Sequence, residues 1–179
     1  MILVMVLLTG CTGGEEELDR ALALRTRLLK DACSFDMVVT ADYGDEIYTF
    51  SMTCQASAKG EVQFTVTEPK SIAGISGTLS PEGGKLRFEE QVLSFPMMAD
   101  EQFSPVSAPW VFIKTLRSGY LTSAGREGAY LRVAIDDSYA EDALHLDVWL
   151  DEKDLPVRAE VLWKGRRLLS MEVKNFQIG

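Results

Sequence analysis

Histidine is nearly missing from this chain and cysteine is scarce, with one His and three Cys in 179 residues. Metal centres built from these ligands lack the donors they need. Nothing like a nucleophile elbow accompanies the single His145, and no acid–base constellation is legible, so the expectation is a non-enzymatic protein without cofactor or metal. A basic stripe is lacking too. Eighteen Lys and Arg stand against 27 Asp and Glu, giving a net charge of −9 and a pI near 4.7. Nucleic acid is therefore a poor partner, because binding it needs cations that neutralise phosphates. The same charge argues against the body of the protein lying flat on an anionic membrane. No apolar run reaches the roughly twenty residues that a spanning helix takes. Repeats, low-complexity tracts and a second-domain linker are absent. At 46% hydrophobic and 25% charged, the composition is that of one globular domain with a real core.

What is present begins with a short uncharged segment, Ile2 to Leu8, that ends abruptly in Leu8-Thr9-Gly10-Cys11. This run resembles the bacterial lipobox. The resemblance implies cleavage before Cys11 and transfer of a diacylglycerol to its thiol. Gly13, Gly14 and Glu15-Glu16-Glu17 follow as a tether would. No Lys or Arg precedes the apolar run, so either the true start lies upstream or the motif is accidental. The expected organisation is a signal segment 1–10, a lipidated Cys11 with tether 11–17, and a single domain 18–179. Two acyl chains would hold such a protein at a membrane essentially permanently. Its expected location is extracytoplasmic, on the outer face of the cytoplasmic membrane.

With Cys11 assigned to lipid, Cys33 and Cys54 remain. A tight turn at Gly44-Asp45 would put Cys33 within about two residues of the cross-strand partner of Cys54. Two readings stand: a disulfide, which an exported protein's redox compartment allows, or two buried thiols acting as small hydrophobes.

Periodicity supplies the elements. Leu18, Ala21, Leu22, Leu28, Leu29 and Ala32 recur at helical spacing over 15–32. The period then drops to two in strands at 35–43, 47–56 and 61–67. Further strands are expected at 72–79, 85–88 and 91–95. A second helix follows Pro105 and Pro109, with Val106, Trp110, Ile113 and Leu116 on one face and Gly119 as its stop. Strands at 129–135, 144–150, 157–163 and 168–176 close the chain, with Lys164-Gly165 as a turn. The fold class is α+β, mostly β: about ten antiparallel strands and two helices. Two helices cover so large a sheet only if it curls around them, which makes a strongly curved antiparallel sheet, an incomplete barrel with helices in its mouth. Such curling commonly leaves an apolar cavity. Its candidate lining is Phe50, Phe64, Val106, Trp110, Ile113 and Leu116.

The order helix, strands, helix, strands, behind a lipobox, resembles the LolA/LolB-like superfamily of outer-membrane lipoprotein carriers and receptors. Val148-Trp149-Leu150-Asp151, Leu155-Pro156-Val157-Arg158, Lys164-Gly165 and Val173-Lys174-Asn175-Phe176 resemble its C-terminal strands. Thr40-Ala41-Asp42-Tyr43-Gly44-Asp45 and the stretch from Pro69 to Gly77 resemble small lipoproteins of spore-forming bacteria, including GerS-like germination lipoproteins of clostridia. The resemblance carries over no functional residue except Cys11. It implies two roles: holding an acyl chain or other amphiphile in the half-barrel, or binding and activating an envelope enzyme. The partners it implies are a membrane through the lipid anchor, and a lipid ligand or an envelope protein.

Other polar groups have bland expectations. His145 shares a strand's wet face with Asp147. Asp136-Asp137 with Glu141-Asp142 is a solvated loop whose spacing does not match an EF-hand. Arg166-Arg167 is a solubilising turn, and Asp151-Glu152-Lys153-Asp154 is a charged hairpin loop. Trp149 falls on the face of His145 and Asp147, where exposure would mark a contact surface.

Overall fold

The computed structural model describes residues 13–95, 98–99 and 102–179. The lipobox residues Leu8, Thr9, Gly10 and Cys11, and the signal segment 1–10, lie outside the described residues.

The first helix, α1 (Gly13–Lys30), has Glu15 and Glu16 in its first turn and Arg27 and Lys30 in its last, both favourable to the helix dipole. Strands β1 (Cys33–Asp42), β2 (Ile47–Ala56) and β3 (Val62–Glu68) alternate buried and wet positions. They continue into β4 (Ser76–Ser80), β5 (Gly83–Phe88) and β6 (Gln91–Phe95). A small two-stranded pair, β7 (Met98–Ala99) and β8 (Gln102–Phe103), stands apart from the main sheet. A 3-10 turn at Pro105–Ser107 leads into α2 (Ala108–Ser118). Five strands finish the chain: β9 (Tyr120–Glu127), β10 (Tyr130–Asp136), β11 (His145–Leu150), β12 (Pro156–Trp163) and β13 (Arg166–Ile178).

Eleven strands form one unclosed antiparallel sheet in the order β6-β5-β4-β3-β2-β1-β13-β12-β11-β10-β9. The chain walks outward from β1 to β6, crosses to the far edge through α2, and walks back from β9 to β13, which pairs with β1. Its two ends therefore meet in mid-sheet. Every connection within each half is short, so antiparallel pairing is the only geometry available. Lys164 and Gly165, at φ 49° and 76°, make the β12–β13 turn with both central residues left-handed, as a type I′ hairpin requires.

The core lies between the helices and the sheet's inner face. Leu24 and Leu28 of α1, and Val111, Phe112, Ile113 and Leu116 of α2, pack on Met37, Val39, Val133, Leu146, Val148, Val161 and Met171. Gly119 closes α2 at a point of close approach: a Cβ there would come within 2.6 Å of Ile135 Cγ2 and 2.8 Å of the Asp136 carbonyl.

Several sequence expectations shift: the strand expected over 72–79 is confined to β4 (Ser76–Ser80), behind a turn at 71–74. Strand β9 was not anticipated, because Tyr120–Glu127 shows no clean alternation; it is an edge strand, mostly wet on both faces. Val106, expected on the second helix, sits in the 3-10 turn before it, and the largest fully buried side chain of α2 is Phe112.

Candidate functional site

Two regions of the half-barrel are candidates: the interior under the helices, and the outer face that carries none. The six residues expected to line an interior cavity all come to the core. Phe50, Phe64, Ile113 and Leu116 are buried, while Val106 and Trp110 are partly buried against the same cluster. Among the described residues, the space found between α1, α2 and β9–β11 is about 10 Å³. That is room for about one water. Leu24, Leu116, Leu121, Val133, Ile135 and Leu150 surround it, with Arg25 at its lip. Arg25 donates through Nε to the Leu116 carbonyl at 2.8 Å, tying α1 to the end of α2.

The outer face is open. A trough of about 620 Å³ crosses β13, β1, β2, β3, β4 and β5, and Val92 of β6 reaches its rim. Its floor is the wet half of each alternation: Ser34 and Asp36, Thr53 and Gln55, Gln63 and Thr65, Ser76 and Thr78. Asn175 and Gln177 close one side, and Asn175 donates through Nδ2 to Asp36 at 2.6 Å. Lys85 and Arg87 stand at the other, and among the described residues neither has an ion pair. The trough thus offers amides, hydroxyls and two uncommitted cations in a chain of net charge −9. Sequence reading had the polar alternates in hand, but not that the sheet gathers them into one depression.

Further along the outer face the polar groups are committed to one another. Asp147 is buried and accepts from Arg132 through Nε at 3.1 Å and Nη2 at 2.7 Å. This bond holds the Arg132 guanidinium above its ordinary pKa. Trp149 is only 6% exposed, because Arg132 and Arg158 lie over its ring at 5.7 and 4.3 Å from the centroid. Trp149 keeps to the outer face but is covered, so it does not mark a contact surface. His145 is similarly held rather than solvated: Nδ1 lies 2.7 Å from Asp136 and Nε2 lies 3.4 Å from Asp147. Both ring nitrogens face carboxylates, and neither is aimed at a hydroxyl or thiol. Asp137 accepts from the Leu144 amide at 2.9 Å, so part of the acidic loop is a turn clasp. Arg166 reaches the Asp42 carbonyl at 3.2 Å, and Arg167 reaches Glu160 at 3.1 Å. Asp154 accepts from Arg20 of α1 at 2.7 Å.

Cys33 and Cys54 are both free and buried. The hairpin register pairs Cys33 with Ala56 and Cys54 with Phe35. The thiols are thus diagonal neighbours, whose Cα atoms typically stand about 7–8 Å apart, past the reach of a disulfide. The candidate bridge gives way to the second reading, two small hydrophobes. Burial pushes the Cys33 thiol from 9.0 up to about 11, with nearby Arg117 pulling slightly the other way. The unfolded chain releases this proton near pH 9 and the folded chain keeps it to about pH 11. Stability present below pH 9 is therefore lost as pH rises to 11, at about 1.4 kcal/mol per unit. In urea melts across that window, Cys33→Ala should decline less steeply than the unchanged protein; parallel slopes would refute the linkage.

These features define a half-barrel: one unclosed antiparallel sheet with two helices on its inner face. The chain is similar in structure to a LolA superfamily protein from Nitrosomonas europaea, at 7% identity over 89% of this chain and 93% of that one, with a TM-score of 0.49. It is similar also to a putative outer membrane lipoprotein-sorting protein domain from Vibrio parahaemolyticus, at 11% identity over 92% of both chains and a TM-score of 0.47. A third likeness is to the lipoprotein LppX of Mycobacterium tuberculosis, at 15% identity over 90% of this chain and 93% of that one, with a TM-score of 0.43. No family model matches the sequence, and no curated relative does. At these identities the likeness concerns the path of the chain alone. No helix among the described residues is long and apolar enough to cross a membrane.

Proposed function

We propose that this chain is an extracytoplasmic lipoprotein, anchored through Cys11 to the outer face of the cytoplasmic membrane, that works by binding an envelope protein and performs no chemistry itself. The observation that carries this reading is the contrast between the two faces. Among the described residues the space between α1, α2 and β9–β11 is about 10 Å³, whereas the outer face offers a trough of about 620 Å³. An acyl chain has no place between α1, α2 and β9–β11 unless a helix lifts. A protein segment does have a place on the outer face. Lys85 and Arg87 make an acidic segment the best match, because charge complementarity sets both encounter rate and choice of partner.

The test has two arms. Native mass spectrometry of detergent-free protein should show no co-purifying lipid, and a fluorescent fatty acid should not be taken up. A photo-crosslinker at Thr65, in the trough, should capture one reproducible envelope protein in cells. The capture should be lost on Lys85→Glu with Arg87→Glu and kept when the probe is moved to Glu172. Stoichiometric fatty-acid uptake would turn the reading back to an amphiphile carrier, and capture indifferent to the two cations would remove the trough from it.

A further inference from the structure

Helix α1 is apolar over a wider arc than the sheet covers. Its buried line is Glu17, Ala21, Leu24 and Leu28. At about 100° per residue, Leu18, Leu29 and Leu22 fall beside that line within about 40° of one another. They are 38%, 54% and 41% exposed. The opposite flank is polar, with Arg20 held by Asp154 and Arg27 in solvent. A helix serving the core alone carries polar residues on both flanks. This one carries leucines on one flank, with Arg25 between them turned to the Leu116 carbonyl.

The sequence says what lies next to that flank. α1 begins at Gly13, two residues beyond Cys11. Extended chain spans at most about 3.6 Å per residue, so the helix starts within about 7 Å of the Cα of Cys11. We infer that α1 lies along the bilayer surface, with Leu18, Leu22 and Leu29 seated among the lipid headgroups and upper acyl chains. This rests on the lipoprotein reading of Cys11. The net charge does not oppose it, since an interfacial helix also binds by the apolar area it buries, which needs no anionic lipid. The contact also sets the orientation of the molecule. α1 packs on the inner face of the sheet with its leucine flank turned to the side, so the outer face that carries the trough is not the surface laid on the membrane.

The experiment supplies the anchor artificially. The full chain is tethered through the Cys11 thiol to a maleimide-headgroup lipid in phosphatidylcholine vesicles, with or without dibrominated acyl chains. Cys33 and Cys54 are buried, so they do not compete for the maleimide. Leu22→Trp is read against Arg27→Trp, about 140° around the helix, with the three native tryptophans as baseline. Both positions are exposed, and thermal melts matching the unchanged chain confirm that each variant folds. Brominated lipid should quench the added fluorescence of Leu22→Trp at least about twofold more than that of Arg27→Trp. Equal quenching, or none, overturns the contact even though the tether is in place. A blue shift of Leu22→Trp that grows with protein concentration without vesicles would assign the flank to a second copy, and overturns it too. Mass analysis of the native N-terminus separates the two readings. An unmodified Cys11 in cells removes the lipoprotein reading beneath the proposal, whereas absent quenching beside an intact native thioether removes the proposal alone.

Discussion

Phe112→Ala should cost about 4 kcal/mol, the largest loss expected from any one side chain here. Phe112 is fully buried in α2 and meets two rings edge-on: Phe35 at 5.7 Å and 74°, and Phe176 at 6.4 Å and 87°. Those two stack on each other at 5.4 Å and 14°. The cluster exists because of a bulge. Ser34 pairs with Gln177 and Asp36 with Lys174, so Asn175 and Phe176 both stand opposite Phe35. Asn175 takes up the extra residue at φ 52°, which lets Val173 and Phe176 both point inward. Truncating Phe112 removes a large apolar surface from the joint between helix and sheet, and its neighbours are too firmly placed by strand register to close the gap. For a domain of this length the melting temperature should fall by roughly 10 °C, measured by calorimetry beside urea unfolding. Phe112→Leu, which keeps most of the volume, should lose less than half as much. A loss below about 1 kcal/mol for the Ala variant would mean that α2 is not seated as described.

Much of this architecture was legible because the inner and outer faces of a strand differ in hydropathy. Residues 33–42 alternate buried and half-buried without a break, and 62–66 alternate buried and exposed, so strand and inward face could be read together. The type I′ turn at Lys164-Gly165 and the stop of α2 at Gly119 were equally plain, since both rest on local backbone chemistry. Strand β9 was hidden for the opposite reason. An edge strand wet on both faces has no alternation to show, and only its pairing with β10 makes it a strand. Trp149 illustrates a different limit. Alternation put it correctly on the outer face, but its cover comes from guanidiniums on β10 and β12, and period-two reasoning sees no cross-strand neighbours. The trough was out of reach in the same way. Its polar residues were visible strand by strand, whereas its depth depends on how the sheet curves. The interior posed the hardest question, because apolar residues that line a cavity and apolar residues that fill one look alike in sequence. Only the packing of Phe50, Phe64, Ile113 and Leu116 distinguishes them.

Arg117→Met should cost about 3 kcal/mol, although among the described residues Arg117 pairs with no carboxylate. The side chain is 7% exposed, and burial lowers its pKa. Its partners are main-chain carbonyls: Ser57, which accepts from Nη1 at 2.6 Å, and Asp31, which accepts from Nη2 at 3.4 Å. Asp31 directly follows the last residue of α1, where the helix dipole carries its partial negative charge. A buried cation that would otherwise be expensive is thus offset by the end of a helix and by a loop carbonyl. One guanidinium joins the end of α1, the loop after β2 and the last turn of α2. Methionine keeps the stem packed but leaves the carbonyls short of donors, at about 1–3 kcal/mol each, less the desolvation no longer incurred by the charge. Lysine keeps the charge without the fork, so Arg117→Lys should fall between the two. High salt should not abolish the difference, since buried interactions are screened far less than surface pairs. The Cys33 thiol provides a second readout. Arg117 pulls the titration of Cys33 downward, so removing the cation should carry the alkaline loss of stability, which still begins near pH 9, on to higher pH. A double-mutant cycle of Arg117→Met with Cys33→Ala, run near neutral pH and again above pH 11, where the folded chain ionises the thiol, would show coupling only in the alkaline arm. Equal coupling at both would mean that the two side chains interact by packing and not by charge.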